Sequence, residues 1–339
     1  MTSQREIAIE SYGAASTLKV RERPIQAPGA GEVAIDVAYS GINFADIQMR
    51  LGFYPDAPKK PFVPGYEVSG RVSAVGKNVK NIAVGDPVMA GTYFGGYAST
   101  VTIPAHQAFK LPEKMDLAAG AALPVAYFTA QLAVFEMARV RKGDRVLIEC
   151  ATGGVGVLAM QMAKFVGAEV TGLTTSAHKK KFIEDHGALA YTLEEFQADK
   201  TLKGYDFILN SSGGGNIGWQ RKRLQLTGRI VCIGMSSGVK DGKRSFLRIA
   251  GALLSMPRLS ILRLFNDNTG VYALNALHVL RDPTWIAKLT SSMTTIQAMG
   301  LEPHVGKVFD ASEVGQAHDF LSSKQATGKV LIAWNQATN

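Results

Sequence analysis

The stretch from Val146 to Val166 restricts the possible folds more than any other part of the chain. An apolar run, Val146 to Cys150, passes at once into Ala151-Thr152-Gly153-Gly154-Val155-Gly156, and then into an apolar helical pattern from Val157 to Val166. A strand that turns through glycines straight into a helix opens a βαβ unit, whose strands run parallel. The rhythm continues with strand Glu169 to Leu173, helix Ala177 to His186, strand Asp206 to Asn210 and strand Arg229 to Gly234. Arg258 to Phe265 reads as one more strand. Near-continuous apolar strands are those covered by helices on both faces. The expected core is a doubly wound α/β Rossmann sheet.

The glycine turn also suits a ligand. Gly153 lets a pyrophosphate approach the backbone, and Gly156 lets helix and strand pack closely, with Ala151 in place of a first glycine. The bare N–H groups of Thr152, Gly153, Gly154, Val155 and Gly156 stand at the positive end of the helix dipole, where phosphates bind. An ordinary tight turn is the alternative. The end of the next strand selects the nucleotide. A cofactor with a free ribose hydroxyl calls for an acid there, yet no acid occurs between Glu169 and Glu184. Thr175, Ser176, His178, Lys179, Lys180 and Lys181 occupy the stretch instead. Hydroxyls and lysines match a 2′-phosphate, so NADP(H) is expected. A solvated lysine-rich helix face explains one or two lysines, but not the missing acid.

With 339 residues the chain is long enough for two domains. Its first third carries short alternating runs such as Glu32 to Val37, Val68 to Val75 and Tyr97 to Ile103, separated by Gly-Asp, Pro-Gly and Gly-Gly. That spacing predicts a partly closed, mainly β domain. The tail, ending Gly328-Lys329-Val330-Leu331-Ile332, returns to this rhythm and is expected to rejoin that domain. A single helical stretch, Leu117 to Ala138, bridges the two rhythms. Cys150 and Cys232 read as buried strand thiols in a reducing compartment. No signal peptide and no spanning segment is expected, and the expected location is cytoplasmic. Between Trp219 and Arg263 lie ten Lys or Arg and one acid, Asp241, a net +9 that equals the charge of the whole chain. A solvated face, or contact of 240–264 with an anionic membrane, would account for it. Nucleic acid is not an expected partner.

Gly41-Ile42-Asn43-Phe44-Ala45-Asp46, Gly52-Phe53-Tyr54-Pro55, Pro64-Gly65-Tyr66-Glu67 and Val84-Gly85-Asp86, in this order and spacing, resemble the medium-chain dehydrogenase/reductase superfamily. More narrowly the chain is similar to its zinc-free quinone oxidoreductases of the zeta-crystallin type. Gly228 to Met235 and the insertion after it resemble the vesicle amine transport protein homologues. The resemblance implies a GroES-like catalytic domain over 1–125, a Rossmann domain over 126–266 and a return to the first over 267–339. Where related alcohol dehydrogenases hold zinc with cysteine and histidine, this chain has Asn43 and Tyr66, so no metal is expected. Asn43, Tyr54 and Tyr127 are the implied catalytic residues, Asn43 as amide donor to a developing oxyanion and Tyr54 as donor or stacking ring. Asn43 as a turn residue and Tyr54 as a loop aromatic are the alternatives, and Tyr66 reads as packing. Tyr127 and Thr129 near the nicotinamide, Tyr191 near the adenosine phosphate, and Asn43, Asn210, Ser211, Gly234, Met235 and Lys329 complete the implied cofactor set. The expected activity is NADPH-dependent hydride transfer to a quinone or an activated, α,β-unsaturated double bond, by a homodimer. The rival reading is an NADPH-binding protein that acts by association, at a membrane surface or with a partner, with little turnover.

Overall fold

A computed structural model describes residues 3–235, 251 and 258–334, and the structural statements concern these. They form two compact units: one from residues up to Val125 and from Pro303 onward, the other from Ala126 to Glu302.

Strands are numbered along the chain. The first unit contains β1 (Ser3–Ala8), β2 (Lys19–Pro24), β3 (Glu32–Ile42), β4 (Glu67–Val75), β5 (Pro87–Gly91), β6 (Thr100–Pro104) and β7 (Ala108–Lys110). The tail adds β14 (Val305–Asp310) and β15 (Lys329–Ala333). β1 pairs with β2, and the rest form a mixed sheet in the order β14-β15-β3-β4-β5-β7, with β6 also on β3. β15 lies antiparallel to β3 and parallel to β14, so the last strand is internal to a sheet begun near residue 32. Its five residues are all buried. Helix α1 (Phe44–Leu51) follows β3 and buries Ile47, Met49 and Leu51.

The second unit holds six parallel strands: β8 (Arg145–Ile148), β9 (Glu169–Thr174), β10 (Leu189–Thr192), β11 (Tyr205–Asn210), β12 (Leu224–Cys232) and β13 (Gly270–Ala273). Their order is β10-β9-β8-β11-β12-β13, with a switch point between β8 and β11. This is the dinucleotide-fold order, whose ligands bind at the carboxyl ends of the strands beside that switch.

Several sequence expectations need correction. The stretch 117–138 is α2 (Leu117–Ala122), α3 (Pro124–Gln131) and a π-helical segment, Leu132–Met137. Pro124 lacks an N–H and its ring opposes the carbonyl four residues back, so a continuous helix cannot pass it. Residues 258–265 are not a strand. Helix Ile261–Asp267 occupies the region, opened by the Ser260 side chain accepting from Arg263 N–H and closed by Asn268 at φ 49°. The sixth strand is β13, paired along β12, so residues 267–302 stay with the parallel-sheet unit instead of returning to the first. Cys150 lies beyond β8, exposed and at φ 54°, and Cys232 is half-buried at the end of β12. Of the basic segment 240–264, residues 240–250 and 252–257 are outside the described residues. No helix among the described residues is long and apolar enough to cross a membrane.

Candidate active site

In the second unit the glycine turn joins β8 to α4 (Gly154–Phe165), with Gly153 as the extended residue before the helix, at φ −84°. The amides of the helix's first turn, those of Gly154, Val155 and Gly156, have no intrahelical carbonyl to bond. A Cβ on Gly156 would meet the Cys150 carbonyl at 2.3 Å and Ala151 Cα at 2.8 Å, so helix and strand touch through it. On Gly153 a Cβ would meet only the Cys150 carbonyl, at 3.4 Å. Gly156 is therefore needed for packing, whereas the space over Gly153 is open to a ligand. Thr152 is buried within the turn.

No carboxylate closes β9. Thr175 is exposed and Ser176 half-buried, and both lead into the single turn Ala177–Lys179. Lys180 pairs with Glu195 at 2.9 Å and Lys181 with Asp185 at 2.8 Å. Lys179 is buried, burial lowers its pKa, and it is within electrostatic reach of Cys150 at the glycine turn.

Several other expected contact residues are bonded or packed within the fold. Asn210 is fully buried. Its Nδ2 donates to Gln220 Oε1 at 2.7 Å and to the Gly213 carbonyl, and its Oδ1 accepts from Gly213 N–H at 2.9 Å. Ser211 donates its hydroxyl and its N–H to Glu149, at 3.1 and 3.0 Å. Glu149, which the sequence reading passed over, also accepts from Ser212 N–H and Asn216 Nδ2. It ties the ends of β8 and β11 together; an acid closing an otherwise apolar run was its only signal. Tyr191 packs its ring against Phe196 in the apolar cluster around Leu147 and Tyr205. Gly234 and Met235 follow β12, and Met235 is exposed. On α3, Thr129 is buried. Tyr127 is fully buried, with its hydroxyl donating to the Ser292 carbonyl at 2.7 Å. That bond ties α3 to helix Pro283–Met293 and occupies the hydroxyl's proton.

The first unit holds a charged cluster. Asn43 precedes α1, and its N–H donates to Asp46 Oδ2 at 2.7 Å, closing the helix start. Its side-chain Nδ2 donates to Glu67 Oε1 at 2.8 Å, and its Oδ1 accepts from Lys329 Nζ at 2.6 Å. Lys329 forms an ion pair with the same Glu67 oxygen, while Val125 N–H donates to the other at 2.8 Å. Glu67 is fully buried and Lys329 nearly so. The sequence reading had Lys329 among cofactor contacts and gave Glu67 no role; the structure joins them as partners. Asn43 therefore keeps at most one amide hydrogen for a substrate.

Behind this cluster Asp46 is fully buried, and burial pushes its pKa up to about 7. The opposing influences are smaller: the N–H groups of Asn43 and Gly65, the Lys329 charge and the Tyr97 hydroxyl. Tyr97 donates to Asp46 Oδ2 at 3.2 Å and lies 3.1 Å from His318 Nε2. With the phenol proton committed to Asp46, the ring nitrogen donates to the phenol oxygen. Burial, then the nearby Arg50 charge, holds His318 neutral, with a pKa down to about 3. In front, Tyr54 is half-buried, 6.4 Å from the Tyr66 ring, and Tyr66 lies 5.2 Å from Phe94. Among the described residues no group of three or more His, Cys, Asp or Glu is placed to hold a metal ion.

Comparison with known proteins finds two dehydrogenase domain families along the chain. Residues 29–113 match the alcohol dehydrogenase GroES-like domain family, and residues 184–332 the zinc-binding dehydrogenase family. The human synaptic vesicle membrane protein VAT-1 homolog-like is 30% identical over 336 residues, covering 97% of this chain and 80% of its own. Human quinone oxidoreductase is 28% identical over 338 residues, 97% of each chain. A mycobacterial protein solved in complex with NADPH superposes with a TM-score of 0.84 at 25% identity, over 98% of this chain and 100% of that one. Two dehydrogenase domain families in succession, and a relative at 30% identity along nearly the full length, show that this chain belongs to the medium-chain dehydrogenase/reductase superfamily, beside the VAT-1 homologues and quinone oxidoreductases.

Proposed function

We propose that the protein is an NADPH-dependent oxidoreductase that reduces a quinone or an α,β-unsaturated carbonyl compound without zinc. The observation that carries this reading is the Lys329 ammonium between the Asn43 carbonyl and the Glu67 carboxylate. At the positions where the resemblance would put zinc ligands stand an amide and a phenol, and the adjoining carboxylate is neutralised by a lysine. Zinc wants thiolate, imidazole or carboxylate donors, and this donor set does not fit it. Without a Lewis acid an alkoxide is hard to stabilise, whereas a quinone or enone collects charge on an oxygen that hydrogen bonds can hold.

The nucleotide residues do fit their group. The first-turn amides of α4 suit a pyrophosphate, the open side of Gly153 admits it, and Ser176 and Lys179 stand at the acid-free end of β9 for a 2′-phosphate. When bound, NADPH supplies the hydride. Glu67 holds Asn43 and Lys329 in place, Asn43 bridges Glu67 and Lys329 through both ends of its amide, and Tyr54 offers a ring and a hydroxyl. Two copies are part of the reading: β13 ends the parallel sheet, with Tyr272 on it exposed. Sedimentation would detect the dimer. Two cysteines outside any disulfide agree with a reducing cytoplasm.

The test is an absorbance assay of NADPH oxidation over a panel of quinones and enones, with and without chelator. Turnover that a chelator leaves unchanged is expected; no oxidation by any acceptor contradicts the reading. The nucleotide assignment has its own check. Lys179→Ala should weaken NADPH by about 1.5–3 kcal/mol, the range of a hydrogen bond to a charged group, and leave NADH affinity unchanged by calorimetry. Equal losses for both cofactors would place Lys179 in the fold and not at the phosphate.

A further inference from the structure

Helix α3 does not run on in the α form: within the π-helical segment Leu132–Met137, Ala138 N–H donates to the Ala133 carbonyl at 2.9 Å, five residues back. Such segments recur at functional sites, where the extra residue in the turn re-aims the side chains around it. Tyr127, Gln131 and Phe135, at intervals of four, line one side of a cavity of about 260 Å³. Ser292 of helix Pro283–Met293, Thr295 and Ala298 of helix Thr295–Ala298, Met299, and Phe165 at the end of α4 complete its wall. All of these belong to the second unit. Thr129, which the resemblance puts near the nicotinamide, is two positions from both Tyr127 and Gln131, and so on the other side of α3.

The hydroxyls of the wall have spent their hydrogens. Tyr127 donates to the Ser292 carbonyl, Ser292 to the Leu289 carbonyl at 2.7 Å, and Thr295 to the Ser292 carbonyl. Gln131 differs. It is 6% exposed, and its Nε2 is turned to Glu136 Oε1, at 3.5 Å. Lys288 holds that carboxylate by its other oxygen, at 2.6 Å. A carboxylate only accepts, so the amide keeps its nitrogen on that side. Gln131 Oε1 is left buried, with no hydrogen-bond partner among the described residues. Buried acceptors without a donor are costly and rare. No charged side chain is among the described residues of the wall. A guest therefore has to be neutral, mostly apolar, and bring its own donor.

We propose that this cavity binds a small neutral phenol or alcohol, whose hydroxyl donates to Gln131 Oε1 and whose carbon skeleton lies against Phe135, Phe165 and Met299. In a mostly apolar pocket the carbon wall supplies affinity, and a few polar atoms select the ligand. An alkylamine would enter charged, against a wall that offers no countercharge. A ketone or ether, which only accepts, would leave Gln131 Oε1 unpaired. Hydride transfer plays no part in this site, which stands or falls apart from the reductase reading.

Thymol, a phenol with one hydroxyl on an alkylated ring, is the probe, titrated by calorimetry in the presence of NADPH. Two relatives isolate its hydroxyl: p-cymene lacks the oxygen, and thymol methyl ether keeps the oxygen without the hydrogen. The parent is expected to bind thymol roughly tenfold tighter than either relative. Gln131→Met keeps an unbranched chain but removes the acceptor, and should bind all three alike. Ala298→Phe changes an exposed residue of the wall and should fill the space. It is expected to abolish thymol binding and leave NADPH affinity and Tm as in the parent. Should Gln131→Met fail to fold, the three ligands on the parent and thymol on Ala298→Phe still decide. A parent that does not bind thymol overturns the proposal. Equal affinity of the parent for thymol and p-cymene also overturns it, as does thymol binding that Ala298→Phe leaves unchanged.

Discussion

Lys329 and Glu67 lie at opposite ends of the sequence and face each other with almost no water to screen them. Such a pair contributes little over a well-packed apolar substitute, but removing one member leaves a charge buried without compensation, at about 3–5 kcal/mol. Lys329→Met is therefore expected to lose stability on that scale in urea denaturation, and Glu67→Gln with Lys329→Met together to regain most of it. A double variant no more stable than Lys329→Met would mean that the pair is not energetically coupled. The same pair shows where reading the sequence stops. Gly-Lys near the tail and Glu after Pro-Gly-Tyr were both visible, but nothing in spacing brings residue 329 to residue 67. Only the pairing of β15 with β3 does so. Nor does spacing bring Tyr127 to the Ser292 carbonyl that takes its hydroxyl.

At the scale of elements, the turn into α4 separates two functions that the sequence reading assigned to neighbouring glycines. Gly156→Ala puts a methyl against the Cys150 carbonyl, a backbone atom that cannot swing aside, and should cost about 1–3 kcal/mol of stability. Gly153→Ala meets only an ordinary contact at a φ that any residue adopts. It should leave Tm nearly unchanged and weaken NADPH at least tenfold by crowding the pyrophosphate, as read by calorimetry. Equal Tm losses in the two variants would contradict this division. The strand–turn–helix was legible because apolar runs, glycines and a helical period all agree there. Helix Ile261–Asp267 was not, because its Ile261, Leu262 and Phe265 side chains are exposed and mimic a core strand in composition. Its cap residue Ser260 and its stop Asn268 were the better signals.

For the molecule as a whole, Asp46, Tyr97 and His318 form a buried chain whose two ionisable ends respond to pH in opposite directions. His318 is depressed to about 3, so its contribution is present above the unfolded value near 6.5 and is lost as pH falls toward 3. Asp46 is raised to about 7, so its contribution is present below 3.8 and is lost as pH rises through 7. Between about pH 4 and 6.5 the two slopes oppose each other. His318→Gln should remove one of them. The stability gap between parent and variant is then expected to narrow by on the order of 1 kcal/mol per unit as pH falls from 6.5 to 4.5. Urea denaturation across that range measures it, and a constant gap would show that His318 does not stay neutral in the fold.

β15 carries a further consequence, one for synthesis. A ribosome releases the whole span Ala126 to Glu302 before the strand that lies between β14 and β3 has been made. The sheet of residues 32–110 must wait, with the β3 edge that β15 will cover still open and Glu67 without its lysine. Domains emerging from the ribosome tend to fold as units in order of completion. Here the later segment in the chain should become protease-resistant first. Nascent chains stalled after Glu302 should yield a resistant fragment from the middle of the sequence while their N-terminal third is still digested.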